Sequence, residues 1–206
     1  MPKEDEFDSW AETYDDSLLN PKGYPFEGYN KVLGFISNSV NVSRKTDILD
    51  IGVGTGNLSL LLYEKGARID GVDFSPKMLE KAKEKMLAGN FYIFDFSHGL
   101  PPKLLSRKYD YIVSSYAFHH LDDNAKLNFI LNLRDLLKEN GKIIIGDVSF
   151  LSRRSLYECR RASGESWDSD EFFIVANSFV PALKSSGIAV KYTQISFCAG
   201  VLEISL

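Results

Sequence analysis

The run Asp47-Ile48-Leu49-Asp50-Ile51-Gly52-Val53-Gly54-Thr55-Gly56-Asn57 decides the fold of this chain. Asp47–Ile51 is a compact, mostly apolar run that ends at glycine, the pattern of a buried strand. Residues 57–65 read as a helix, with Leu58, Leu61 and Leu62 on one face and Gly66 as the stop. The glycines between them let the backbone turn sharply and approach a ligand with no Cβ in the way. The following helix offers unsatisfied N–H groups and a positive dipole end, suited to a carboxylate or phosphate. Glycines also serve plain tight turns, but the strand–turn–helix setting favours the ligand reading.

Working outward, short β-rich runs alternate with helical patterns, the mark of parallel βαβ units. Residues 68–72 read as a second strand, and Ser75-Pro76 opens a helix with serine as N-cap and proline at its first position. Residues 90–94 make a third strand, followed by a loop through Gly99-Leu100-Pro101-Pro102, and residues 109–114 a fourth. Asp122 or Asp123 caps a helix running to about residue 139, with Leu127, Ile130, Leu131 and Leu137 on one face and Gly141 as its end. Residues 142–148 are the fifth strand. Ser178 caps a short helix through Ser186, with Pro181 in its first turn. Residues 188–197 and 201–206 are strand-like, and the Cys198-Ala199-Gly200 link suggests an antiparallel hairpin. Residues 1–45 are expected as a helical cap near the mouth of the site. Residues 151–178 read as an insertion over the active-site edge, rich in Arg and Ser and carrying Trp167. No repeat or linker divides residues 1–206, which read as one domain.

The bulk properties narrow the function classes. The 206 residues carry 24 basic and 28 acidic side chains, a net charge of −4, so nothing pulls the chain toward nucleic acid or an anionic membrane. The acidic start, Met1-Pro2-Lys3-Glu4-Asp5-Glu6, is not followed by a signal-peptide core. No apolar stretch approaches the roughly 18 residues a membrane span requires. Cys159 and Cys198 are far apart and lack metal-ligand spacing, which fits a reducing compartment. The expectation is a cytoplasmic protein with no metal site.

Asp73 falls 21 residues after Gly52, at the tip of the second strand. An acidic residue there accepts hydrogen bonds from a ribose diol; the plain alternative is a helix-capping aspartate. The dinucleotide fingerprint requires glycine at its sixth position, where this chain has Asn57, with Gly56 at the fifth. That favours S-adenosylmethionine over NAD, and the absence of a P-loop lysine disfavours nucleoside triphosphates.

With the motif at 48–56, the run Gly71-Val72-Asp73-Phe74-Ser75-Pro76-Lys77-Met78 and the run from Tyr109-Asp110-Tyr111 to Phe118-His119-His120-Leu121, the chain resembles the class I S-adenosylmethionine-dependent methyltransferases over roughly residues 7–150. The resemblance implies an α/β fold, a Rossmann-like seven-stranded, mostly parallel sheet with an antiparallel last strand and helices on both faces. It implies that Gly52, Gly54 and Gly56 cradle the methionine part of the cofactor, that Asp50 neighbours its amino group, and that Asp73 holds the ribose. Phe74 and Met78 would pack on the adenine, Asp95 would bind its amino group and Phe96 add a backbone N–H. Ser115 and Tyr116 would lie beside the methyl. The run 7–15 looks like the family's cap helix, with Tyr14 closing over the cofactor; a core aromatic is its alternative.

His119 and His120 sit near the carboxyl end of the fourth strand, where ligands bind in such sheets. His119 is the candidate base, against the plainer reading that both histidines shape the loop or cap the next helix; His98 has no partner that the sequence identifies. Ser114-Ser115-Tyr116-Ala117 lacks the prolines of amino-methylating nucleic-acid enzymes, and no cysteine follows a proline, as cytosine C5 chemistry requires. The expectation is methyl transfer to a small-molecule acceptor. A catalytically silent sensor that binds S-adenosylmethionine or S-adenosylhomocysteine suits the glycine turn and Asp73 equally well. Arg153, Arg154, Arg160 and Arg161 either attract an acidic substrate or form a solvated helix face.

Overall fold

A computed structural model describes residues 8–19 and 21–205. The acidic start at 1–6, Phe7 at the head of the cap motif, and Leu206 lie outside the described residues.

The strands are β1 (Asp47–Ile51), β2 (Arg68–Asp73), β3 (Asn90–Ile93), β4 (Tyr109–Ser115), β5 (Leu137–Phe150), β6 (Ile174–Val175), β7 (Ala189–Gln194) and β8 (Ala199–Ser205). The main sheet runs β3-β2-β1-β4-β5-β8-β7, with the short β6 beside the end of β5. β1 to β5 pair in parallel, and β8 lies antiparallel between β5 and β7. The expected mostly parallel sheet with an antiparallel last strand is what forms. The order reverses between β1 and β4, and ligands bind such sheets at the carboxyl ends beside that switch point.

Helices α1 (Tyr14–Ser17), α2 (Tyr29–Ser39), α3 (Asn57–Tyr63), α4 (Pro76–Lys85), α5 (Pro102–Leu105), α6 (Asp123–Arg134), α7 (Arg153–Ser163) and α8 (Ala176–Ser185) surround it. Val32 and Ile36 of α2 and Leu58 and Leu62 of α3 pack with Ile48 and Ile144 on one face. Leu104 of α5, Ile130 and Leu133 of α6, and Phe179 and Leu183 of α8 pack with Leu49, Ile112 and Ile143 on the other. Successive strand residues thus feed opposite faces, and with both faces covered the central strands are mostly apolar, interrupted by buried Asp50 in β1 and Asp70 in β2.

Local signals act as expected at several boundaries. The Ser75 hydroxyl accepts from Met78 N–H with Pro76 at the first helical position, and Asp122 accepts from Ala125 N–H. Elsewhere tertiary pairing moves them. α6 stops at Arg134 rather than near 139, because Leu137 pairs with Tyr109 and the Lys138 ammonium is drawn to Asp47 and Asp110 at 2.6 and 2.7 Å. α8 starts at Ala176, not Ser178, so Pro181 lies in the helix interior; β6 pairs with Ser149 and Phe150, and Asn177 N–H donates to Leu151 C=O, which starts the helix where the ladder ends. The β7–β8 hairpin turns at 196–198, since Ile195 and Ser196 N–H both donate to Ala199 C=O and Ala199 and Gly200 belong to β8. The expected loop through Gly99-Leu100-Pro101 runs directly into a helical turn at Pro102–Leu105. Among the described residues no helix is long and apolar enough to cross a membrane.

Candidate active site

The turn after β1 enters α3 through glycines with positive φ at Gly52 (68°), Gly54 (52°) and Gly56 (85°). It lines a cleft of about 560 Å³, mouth included, together with Asp73, Phe74, Met78, Phe96 and Ser115. Gly52 and Gly54 face the cleft, whereas Gly56 packs against Met86 and Ala82. A Cβ on Gly52 would lie 2.3 Å from that of Ala117; one on Gly54 would meet nothing within 4 Å.

Asp50 is buried behind this turn. Ser59 Oγ donates to its Oδ2 at 2.6 Å, and Oδ1 has no partner. Burial, opposed by the Ser59 bond and reinforced by Asp73, lifts its carboxyl to about 7. A buried carboxylate oxygen without a donor is costly; Asp50 sits behind the turn and is not among the residues lining the cleft. Asp73 closes β2; Gly54 and Ser75 N–H donate to its two oxygens at 2.8 and 2.9 Å. Burial outweighs these bonds and raises it to about 6. Each oxygen keeps a lone pair for a hydroxyl donor. Asp95 accepts from Ser97 N–H at 2.9 Å, lies 3.2 Å from His98 Nδ1, and is not among the residues lining the cleft, although neighbouring Phe96 is. His98 thus has the partner that the sequence did not identify.

The amino-terminal segment closes the cleft. Thr55 Oγ1 and Asn57 Nδ2 donate to Asp15 Oδ1 at 2.6 and 3.0 Å, and Lys85 Nζ lies 2.5 Å from Asp15 Oδ2. Ser75 Oγ donates to Asp8 at 2.6 Å. These bonds hold Tyr14 over the cleft, hydrogen-bonded with Tyr29; burial, Tyr29 and Asp73 raise its hydroxyl well above the usual tyrosine range. Tyr29, Thr55, Asn57 and Ala117 also line the cleft and were not anticipated; Asn57 at the start of α3 was their one visible signal.

A second cavity of about 1830 Å³, mouth included, adjoins the cleft and shares Tyr14, Tyr116 and His120 with it. Tyr116 takes a left-handed φ of 52° and its buried hydroxyl has no partner. Trp10, Tyr24, Phe26 and Phe172 form the aromatic wall, and Asp122, Asp168, Asp170 and Glu171 the acidic one. Among the described residues no lysine or arginine lines either cavity. Arg160 and Arg161 lie apart, in an open groove with Tyr157 and Trp167, and Arg154 pairs with Glu158 on the exposed face of α7.

His119 lines the second cavity but not the cleft. Its Nδ1 is 2.6 Å from Asp147 Oδ1 and its Nε2 3.3 Å from Glu171 Oε1. Burial opposes its charge, but Asp147 and then Glu171 outweigh burial and raise it. Burial and the neighbouring His119 push His120 down to about 3. Asp147 and Glu171 lie 28 and 52 residues from His119, too far for spacing to reveal them.

A methyltransferase domain family matches residues 49–143. An uncharacterized methyltransferase of Geobacillus sp. (strain WCH70) is 34% identical over 213 residues, covering 96% of this chain and 94% of that protein. Another, from Anoxybacillus flavithermus, is 38% identical over 164 residues, 78% of this chain and 74% of that one. Among solved structures, the DhpI complex with SAH aligns at a TM-score of 0.73 and 15% identity, over 98% of this chain and 93% of that one. Magnesium protoporphyrin IX methyltransferase from Synechocystis PCC 6803 with bound SAH aligns at 0.73 and 18% identity, over 98% and 97%. This chain belongs to the class I S-adenosylmethionine-dependent methyltransferases. It is an enzyme of that class, with S-adenosylmethionine as its cofactor.

Proposed function

We propose that this chain methylates a small molecule seated in the second cavity. The observation that carries the reading is the wall of Tyr14, Tyr116 and His120 common to the two cavities, which brings an acceptor within reach of the cleft. When bound, S-adenosylmethionine supplies an electrophilic methyl on a sulfonium. The chain's own task is then to hold, align and exclude water.

In this reading Gly52, Gly54 and Gly56 shape the turn for the methionine part, and the unpartnered Asp50 oxygen accepts from its ammonium. Asp73 accepts from the ribose diol. Phe74, Met78 and Phe96 flank the adenine, with Asp95 beside Phe96 as acceptor for the adenine amino group. Ser115 and Tyr116 border the reacting centre, and Tyr14 shuts it off from water. His120, neutral at pH 7, orients the acceptor from the shared wall. Among the described residues neither wall carries a lysine or arginine, which supports a small acceptor over a polyphosphate chain, whose binding relies on Lys and Arg.

The test is calorimetry with S-adenosylhomocysteine, followed by a screen of metabolite pools for transfer of labelled methyl. Asp73→Ala is expected to weaken cofactor binding about 10- to 100-fold, the worth of charge-assisted hydrogen bonds. Unchanged affinity removes the ribose role. Tight binding with no transfer to any pool replaces the enzyme reading with the silent sensor.

A further inference from the structure

We infer that His119, His120 and Glu171 form a site for a zinc-class divalent cation on the wall of the second cavity. The inference rests on the functional reading above and deepens it, because a cation there selects an acceptor that presents an oxygen ligand. One ligand atom from each of the three side chains lies within 4.8 Å of the other two.

The His119–Glu171 pair already stands at the spacing of two ligands on one ion. Metal–ligand bonds of about 2.1 Å at angles between octahedral and tetrahedral place neighbouring donors about 3.0–3.4 Å apart; Nε2 and Oε1 are 3.3 Å apart. The imidazoles are edge-on, with centroids 4.2 Å apart. Two imidazoles and a carboxylate suit zinc and its neighbours, and three protein ligands leave positions open on the cavity side.

The surroundings are those of a built site. Metal-bound histidines nearly always give their second ring nitrogen to a carboxylate or carbonyl, which fixes tautomer and orientation. Asp147, fully buried on β5, does this for His119 at 2.6 Å, and its own oxygens accept from His119 and Val148 N–H at 3.0 and 2.7 Å. The residue after Glu171 is pinned beside the histidines: Phe172 N–H donates to His119 C=O at 2.8 Å, and the buried Lys126 ammonium donates to Phe172 C=O at 2.5 Å and to Leu121 C=O. Lys126 is thereby aimed at carbonyls rather than at the three ligands. With Nδ1 turned to Asp147, Nε2 faces Glu171 and the cavity, and a cation bound there would displace any proton on Nε2. A cation held by these residues would act as a Lewis acid toward an acceptor oxygen on the cavity side.

The test uses the full chain, stripped with chelator, dialysed and titrated with Co²⁺ without cofactor. The expected result is a visible cobalt absorption band that saturates at one ion per chain and is displaced by Zn²⁺. Glu171→Gln, nearly isosteric, and His120→Ala, at a partly exposed position, should each weaken binding at least ~10-fold, with unchanged circular dichroism. No saturable band, or variants that titrate like the wild type, overturns the site. S-adenosylhomocysteine calorimetry on the same sample separates the two readings. Cofactor binding without cobalt binding sinks the metal site alone, and cobalt binding without cofactor binding sinks the methyltransfer reading alone.

Discussion

Gly52 and Gly54 both have positive φ, but an added methyl meets different surroundings at each. The left-handed conformation costs a non-glycine residue about 1–2 kcal/mol. Gly54→Ala is therefore expected to lose only about that much stability while placing its methyl in the open cleft, so cofactor affinity falls far more than the thermal midpoint. Gly52→Ala adds a collision with the Ala117 side chain, and overpacking costs a further ~1–3 kcal/mol. Thermal melts and calorimetry of the two variants side by side should show stability and affinity lost together in Gly52→Ala but separated in Gly54→Ala. Equal stability losses would contradict the packing at Ala117. Asp50 carries the complementary cost: its Oδ1 is buried without a donor, and the proposed ammonium contact would supply one.

Lys126 ties together elements distant in sequence. It sits on α6, one turn past the cap at Asp122, and its buried ammonium joins the turn after β4 to the segment before β6. Burial lowers its pKa, against the pull of Asp147, Asp123 and Asp122. Lys126→Met keeps most of the apolar stem but strips two carbonyls of their donor, at about 1–3 kcal/mol for each group left unsatisfied. A lower urea midpoint is expected, together with faster amide exchange at 168–173. A midpoint matching the wild type would mean that water replaces the ammonium without loss. The element boundaries follow the same logic. α6 ends early because Leu137 and Lys138 find partners on neighbouring strands, and α8 begins early because β6 pairs with β5.

The whole molecule carries a pH dependence set by its site. Asp50 at about 7, and Asp73 and Glu171 at about 6, are raised by burial above their ordinary values. Raised acids bind protons more tightly folded than unfolded, so their stabilisation is full below the unfolded values and is lost as pH climbs through about 6 and 7. His119, also raised, acts in the same direction. His120, depressed to about 3, acts against it below the ordinary histidine value. Three acids and His119 against His120 predict that the cofactor-free protein melts at a lower temperature at pH 7.5 than at pH 5.5. Asp50→Asn should flatten that slope and raise the midpoint at pH 7.5, since each unit of elevation removed corresponds to about 1.4 kcal/mol, or roughly 3–5 °C for a chain this size. A midpoint that rises with pH over this range would remove the buried-acid account.

The strand–glycine–helix turn, Asp73 at the next strand tip and the alternation of β and α were legible in the sequence because each depends on neighbouring residues: backbone freedom at glycine, capping by Ser75, two-residue periodicity in the strands. Local chemistry therefore made the parallel βαβ core and the glycine turn legible, and the motifs they form carry the resemblance to the methyltransferases. Glu171 and Asp147 could not be read beside His119, nor Asp15 beside Thr55 and Asn57, because those partners are separated by 28 to 52 residues and no periodicity links them. The packing of β5 against β4 and the return of the chain before β6 bring Asp147 and Glu171 to His119, and the docking of the amino-terminal segment brings Asp15 to Thr55 and Asn57. Long-range pairing is set by which buried groups must satisfy one another, and that is a property of the assembled structure rather than of any stretch of chain.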